Sequence, residues 1–101
     1  MLKVIISGAA GRMGRSLVAG VQESDKFTLY GALESGGSDL LGLDTGELAG
    51  IGKSGVLLSA SDESLIGQAD VMIDFSTPSA SVSNAEICAA FGTALVIGTT
   101  G

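Results

Sequence analysis

The sequence predicts an α/β domain built on a mainly parallel, doubly wound sheet, and three observations carry that prediction. Short apolar runs alternate along the chain with stretches of helical periodicity, the order that yields parallel strands joined by crossover helices. The leading run, Val4-Ile5-Ile6, is continuous and β-branched, as in a strand covered on both faces. Glycine punctuates the connections, with 16 glycines against one proline in 101 residues. That is a pattern of tight turns, not of disorder.

The chain opens with a strand in Leu2–Ser7, followed by Gly-Ala-Ala-Gly-Arg-Met-Gly at 8–14. Met13, Leu17, Val18 and Val21 then recur at helical spacing, which predicts a helix from about Arg12 to Gln22 that stops near Ser24-Asp25. Strand, glycine turn and helix in this order form the context of a dinucleotide fingerprint. Gly8 lets the chain turn off the strand, Gly11 lets bare backbone approach a pyrophosphate, and Gly14 lets the helix pack close. The helix mouth then points its free N–H groups and its positive dipole end at the phosphates. The stricter pattern has glycine where this chain has Ala10. The second strand, Phe27 to Leu33, is followed by Glu34, 20 residues after Gly14. A carboxylate there accepts hydrogen bonds from the adenosine ribose hydroxyls. Together these features make the fold class Rossmann-like.

Residues 35–55 change character, with glycines recurring between single apolar residues, and read as a long, partly mobile loop. Val56–Ser59 reads as a short strand. Ser61 caps a short helix from Asp62 to Ile66, ended by Gly67. Ala69–Phe75 is the next strand. Thr77-Pro78 reads as N-cap and first helical residue of a helix that runs to Phe91 and closes at Gly92. Cys88 lies in its small-residue stretch and reads as a packing residue. Ala94–Ile97 forms the last strand, ending in Gly98-Thr99-Thr100-Gly101.

Ligands of such sheets sit beyond the carboxyl ends of the strands at the switch point. Gly8–Gly14, Phe75-Ser76-Thr77 and Gly98-Thr99-Thr100 converge there. Phe75 is placed to pack on a cofactor ring or in the core. The hydroxyls of Ser76, Thr99 and Thr100 are placed to bond ribose or carboxamide. Asp74 reads as a strand-end residue bonding its own turn.

Composition narrows the function. Net charge is −6, and the five basic residues do not cluster, which argues against a nucleic-acid partner. The anionic dinucleotide must therefore be held by local donors: the turn backbone, the helix end and Arg12. The chain has no histidine, so imidazole acid–base chemistry and a Cys/His metal site are both excluded. No apolar run reaches the length of a membrane span. The single Cys88 forms no internal disulfide, consistent with a cytoplasmic location.

With these pieces assembled, the chain resembles the amino-terminal half of dihydrodipicolinate reductases. The motifs are those at 8–14, Gly-Ala-Leu-Glu at 31–34, Ser-Asp-Leu-Leu-Gly at 38–42, Gly-Glu-Leu-Ala-Gly at 46–50, Val-Met-Ile-Asp-Phe-Ser-Thr-Pro at 71–78 and Val-Ile-Gly-Thr-Thr-Gly at 96–101. The resemblance implies an oxidoreductase of lysine (diaminopimelate) biosynthesis that uses NADH or NADPH. It implies that Gly8, Ala9, Ala10, Gly11, Arg12 and Met13 hold the pyrophosphate and Glu34 the adenosine ribose. It further implies that Gly98, Thr99 and Thr100 sit by the nicotinamide, with Thr100 reaching the substrate. Many members carry arginine directly after the glutamate to meet the 2′-phosphate of NADPH; here that place is Ser35. The family's substrate domain supplies a histidine pair and a lysine for proton delivery. Residues 1–101 therefore read as the dinucleotide-binding domain of a longer two-domain enzyme, with no catalytic residue of their own and no turnover alone.

Two other readings compete. One is a stand-alone nucleotide-sensing module without chemistry. The other is the amino-terminal domain of a semialdehyde dehydrogenase, whose turn is similar but whose nucleophilic cysteine lies elsewhere. The apolar last strand also predicts self-association of this chain into a homo-oligomer.

Overall fold

In the computed structural model, residues 1–98 are described. The strands are β1 (Leu2–Ser7), β2 (Phe27–Leu33), β3 (Leu58–Ser59), β4 (Val71–Asp74) and β5 (Ala94–Ile97). The helices are α1 (Arg12–Glu23), α2 (Thr45–Leu48), α3 (Glu63–Gln68) and α4 (Pro78–Phe91). The sheet order is β3-β2-β1-β4-β5, and every pairing is parallel. The direction of winding reverses between β1 and β4, so the switch point lies where their carboxyl ends part.

Side chains of β1 alternate between two cores. Val4 and Ile6 meet Val18 and Val21 of α1, with Leu29, Ala32 and Leu58. Ile5 faces the other way, onto Ile66 of α3, Met72 and Cys88 of α4. Helices on both faces make the fold doubly wound, and β1 is buried on both sides as its composition requires. One residue breaks the β1–β2 ladder: Val4 pairs with Leu29 but Ile5 with Gly31, so Tyr30 is an extra residue on β2. The bulge re-aims Tyr30, whose hydroxyl donates to Gln68 Oε1.

Several boundaries differ from expectation, each for a local reason. Residues 35–55 are not a structureless loop. The Asp44 carboxylate accepts the N–H groups of Gly46, Glu47, Ser54 and Gly55 and the Ser54 hydroxyl, which nucleates α2. Leu40, Leu41, Leu48 and Ala49 then pack onto the α1 side of the sheet. Val56 leaves β3 because its carbonyl accepts both the N–H and the hydroxyl of Thr45, at 2.9 and 2.8 Å. Asp62, not Ser61, caps α3, accepting the Leu65 N–H at 3.2 Å. Helix α3 runs through Gly67 to Gln68 because Gly67 serves packing, not termination. A Cβ there would lie 2.7 Å from the Phe91 ring. Strand β4 occupies only the centre of the expected 69–75 stretch, since Ala69 is the C-cap of α3.

Helix α4 matches its prediction. Thr77 accepts the Ala80 N–H, Pro78 takes the first turn, and Gly92 closes the helix at φ 75°. Met13, expected on the buried stripe of α1, is 52% exposed; Gly14, Val18 and Val21 are the buried residues. Strand β5 has the composition of a strand buried on both faces, yet Val96 and Ile97 are 56% and 50% exposed. Among the described residues it forms the sheet edge and pairs only with β4.

Candidate functional site

The glycine turn sits over the switch point, and the structure gives its glycines different reasons to exist. Gly8 has φ 78°, and a Cβ on it would lie 2.6 Å from the Phe75 carbonyl oxygen. Gly14 is tighter, with a Cβ 2.1 Å from the Gly8 carbonyl oxygen. Both are demanded by the chain's own packing. Gly11 is not: a Cβ there would meet only the Gly8 carbonyl oxygen, at 3.4 Å. Gly11 is the N-cap of α1 and supplies no side-chain cap. Bare backbone is therefore left facing outward at a helix mouth, the form a pyrophosphate approaches closely.

Donors in the turn are already divided. The N–H groups of Gly8 and Ala9 both go to the Leu33 carbonyl, and that of Gly11 to Gly8. Gly8 and Ala9 thus shape the turn. Among the described residues, the N–H groups of Arg12, Met13 and Gly14 have no intramolecular partner, the usual state of a first helical turn. They are the donors open to an anion. Arg12 is exposed beside them. Arg15, which sequence reasoning did not single out, ties the turn down by donating from Nε to the Ala10 carbonyl at 2.7 Å.

Glu34 is brought directly to this turn. One carboxylate oxygen accepts the Ala10 N–H at 3.2 Å, and the other accepts the Ser35 N–H at 3.1 Å. The side chain is fixed at the end of β2, between the glycine turn and an adjoining cleft of about 280 Å3. Glu34, Ser35 and Gly36 form one side of that cleft, and Ser76, Thr77 and Asn84 the other. Phe75 is half-buried with its ring packed over Gly98, where a Cβ would lie 2.2 Å from the ring. Gly98 bonds back to the Asp74 carbonyl. Thr99 and Thr100 lie outside the described residues.

Under the cleft lies a polar cluster of which sequence reading anticipated only the Asp74 part. Asp74 is fully buried. Burial pushes its carboxyl up, but the hydroxyl and N–H of Ser76, the Asn84 amide and the Ser81 hydroxyl outweigh burial and hold it below the usual range. It is therefore an ionised, hydrogen-bonded carboxylate. Asn84 donates to Asp74 Oδ2 at 3.2 Å and to Ser7 Oγ at 3.1 Å. No spacing in the sequence points to Asn84, because α4 carries it 10 residues past Asp74. Burial pushes the Cys88 thiol up, and the Asp74 charge adds to this. Cys88 is a packing thiol, not a nucleophile. Among the described residues, no group of three or more His, Cys, Asp or Glu could hold a metal ion, and no helix is long and apolar enough to cross a membrane.

Three comparisons bear on this geometry. The family model described as "Dihydrodipicolinate reductase, N-terminus" matches residues 2–101. The 4-hydroxy-tetrahydrodipicolinate reductase of Rhodopseudomonas palustris is 49% identical over 100 residues, covering 99% of this chain and 37% of that protein. The enzyme of the same name from Saccharophagus degradans is 43% identical over 99 residues, with 98% and 37% covered. This chain thus spans just over a third of the length of the curated relatives it matches. Among solved structures, a dipicolinate-bound dihydrodipicolinate reductase from Paenisporosarcina sp. TG-14 matches with TM-score 0.75 at 27% identity, over 100% of this chain and 38% of that one. An amine dehydrogenase from Mycobacterium smegmatis matches with TM-score 0.74 at 24% identity, over 95% and 29%. The last likeness speaks to the fold alone.

Proposed function

This chain belongs to the dihydrodipicolinate reductase family, as its amino-terminal part, and from that premise we propose that it is the cofactor-binding domain of a 4-hydroxy-tetrahydrodipicolinate reductase. The whole enzyme would be a cytoplasmic oxidoreductase of lysine (diaminopimelate) biosynthesis. When bound, NADH or NADPH supplies the hydride for a cyclic dihydrodipicolinate-type substrate. The residues here fit that group. The Arg12, Met13 and Gly14 N–H groups meet the pyrophosphate, with Arg12 over the adenosine side. Glu34 accepts from the ribose hydroxyls, and its turn toward the ribose releases the Ala10 N–H to a phosphate oxygen. Gly98, Thr99 and Thr100 belong to the nicotinamide side, with Thr100 also toward the substrate, while Phe75 packs on a cofactor ring and Ser76, in the cleft beside Glu34, bonds a ribose. General acids come from outside this chain, which has no histidine.

The observation that carries this reading is the Glu34 carboxylate on the Ala10 N–H at 3.2 Å. It joins the ribose-binding and phosphate-binding halves of a dinucleotide site in one contact. The finer proposal is that NADPH is not strongly preferred over NADH. Glu34 repels a 2′-phosphate, and Ser35 supplies no compensating charge. Calorimetry with both dinucleotides tests this. Residues 1–101 should bind NADH and turn over no substrate, and Glu34→Ala should weaken NADH at least tenfold. Undetectable NADH binding by the full-length protein refutes the reading. A tenfold tighter constant for NADPH refutes the finer proposal.

A further inference from the structure

The cleft beside the phosphate turn has a fixed hydrogen-bond polarity, set from beneath. The ionised Asp74 carboxylate offers only lone pairs, so each group facing it must turn a hydrogen inward. Ser76 gives Asp74 Oδ1 both its backbone N–H, at 2.9 Å, and its hydroxyl hydrogen. Asn84 gives one amide hydrogen to Asp74 Oδ2 and the other to Ser7 Oγ. The amide orientation follows, since the flipped form would set its carbonyl oxygen against the carboxylate. Every buried side-chain nitrogen and oxygen among the described residues has a hydrogen-bond partner. Among the described residues the Asn84 side chain bonds through Nδ2 alone, so Oδ1 is the open atom. The open space that Asn84 lines is the cleft, which Ser76 and Glu34 also line. With its hydrogen committed to Asp74, Ser76 also meets the cleft as an acceptor. So does the Glu34 carboxylate across from it.

We propose that Asp74 is a positioning residue that makes this cleft a surface of oxygen acceptors, so that it selects the donor-bearing adenosine end of the dinucleotide and reads the exocyclic amine of the purine as well as the ribose hydroxyls. This rests on the cofactor reading above. A base with a carbonyl in place of the amine would set oxygen against oxygen in a half-enclosed site, and neither would be satisfied. Sites built to bond an N–H reject ligands that lack it more strongly than they reject a change of size.

The test compares NADH with reduced nicotinamide hypoxanthine dinucleotide, which carries that carbonyl, by calorimetry on the full-length protein. NADH should bind about tenfold tighter or more. Asp74→Asn nearly keeps the volume but can donate a hydrogen back, which lets the Ser76 hydroxyl and the Asn84 amide turn over. It should reduce the ratio below about threefold. A residue that only held the fold together would weaken both ligands equally and leave the ratio unchanged. Should Asp74→Asn not fold, Ser76→Ala removes one cleft acceptor while Asn84 still holds Asp74, and it should also lower the ratio. Equal affinities in the unmodified protein overturn this proposal and leave the cofactor reading standing. A ratio unchanged in the variants overturns the role of Asp74. Binding of neither dinucleotide overturns the cofactor reading, and this proposal with it.

Discussion

Two glycines of α1 should respond to the same substitution with opposite sign. At Gly20 a Cβ meets nothing within 4 Å, and the residue is exposed. Gly20→Ala therefore gains the helix-propensity difference, roughly 0.5–1 kcal/mol, mostly through the lost freedom of the unfolded chain. For a chain of this size that raises Tm by about 2–8 °C. At Gly14 the new Cβ would lie 2.1 Å from the Gly8 carbonyl oxygen, 2.7 Å from Ala9 Cα and 2.9 Å from Ala9 C. All three are backbone atoms, so no rotamer change relieves the contact. The helix must back away from the turn by on the order of 1 Å to restore van der Waals separation. Overpacking of this kind costs about 1–3 kcal/mol, which exceeds the propensity gain. Gly14→Ala should therefore lower Tm. It should also weaken NADH binding, because the Arg12 and Met13 N–H groups move with the helix. Differential scanning calorimetry of both variants beside the unmodified protein provides the assay. Stabilisation by Gly14→Ala comparable to that by Gly20→Ala would refute the argument that this glycine exists for close helix–strand approach.

Other consequences concern charge and edges. Hydrogen bonds from Ser54 hold the Asp44 carboxyl well below the usual range, joined by those from Gly55 and Glu47 and opposed only by partial burial. A depressed folded-state pKa means that the unfolded chain binds the proton first. The stabilisation is then present above the ordinary aspartate value of 3.8 and lost as pH falls below it. Tm should decline steeply below pH 4, and Asp44→Asn should lower Tm at pH 7 while flattening that decline; an unaltered slope in a pH series of melting curves would contradict this. Ser35→Arg adds a cation beside Glu34, and charge-assisted bonds to a 2′-phosphate contribute about 1.5–3 kcal/mol. The NADPH constant should fall at least tenfold while that for NADH changes little, as fluorescence titration would reveal. The exposed β5 edge with Val96 and Ile97 is the kind of strand that recruits another chain. Residues 1–101 alone should self-associate in sedimentation runs at rising concentration, and Val96→Lys should restore a monomer. A monomer without the substitution would show the edge to be harmless.

Much of this protein is local and was therefore legible in one dimension. A β-branched run at Val4-Ile5-Ile6, glycines at 8, 11 and 14, and an acid at 34 dictate strand, turn, helix and carboxylate, because each depends on neighbours or on a period. Thr77-Pro78 and Gly92 likewise mark both ends of α4 through their own backbone preferences. What tertiary structure decided depends on contacts between distant residues. Asp44 becomes the centre of residues 44–55 only when the chain returns Ser54 and Gly55 to it, so a stretch that reads as loop becomes an ordered knot. Gly67 looks like a helix stop until Phe91 is laid across it. Strand β5 has the composition of a covered strand, but burial is set by what packs on it, and it forms the sheet edge. The floor of the cleft belongs to the same class. Ser7, Asp74 and Asn84 lie 77 and 10 residues from one another through Asn84, and only the parallel pairing of β1 with β4 brings the ends of those strands together under α4.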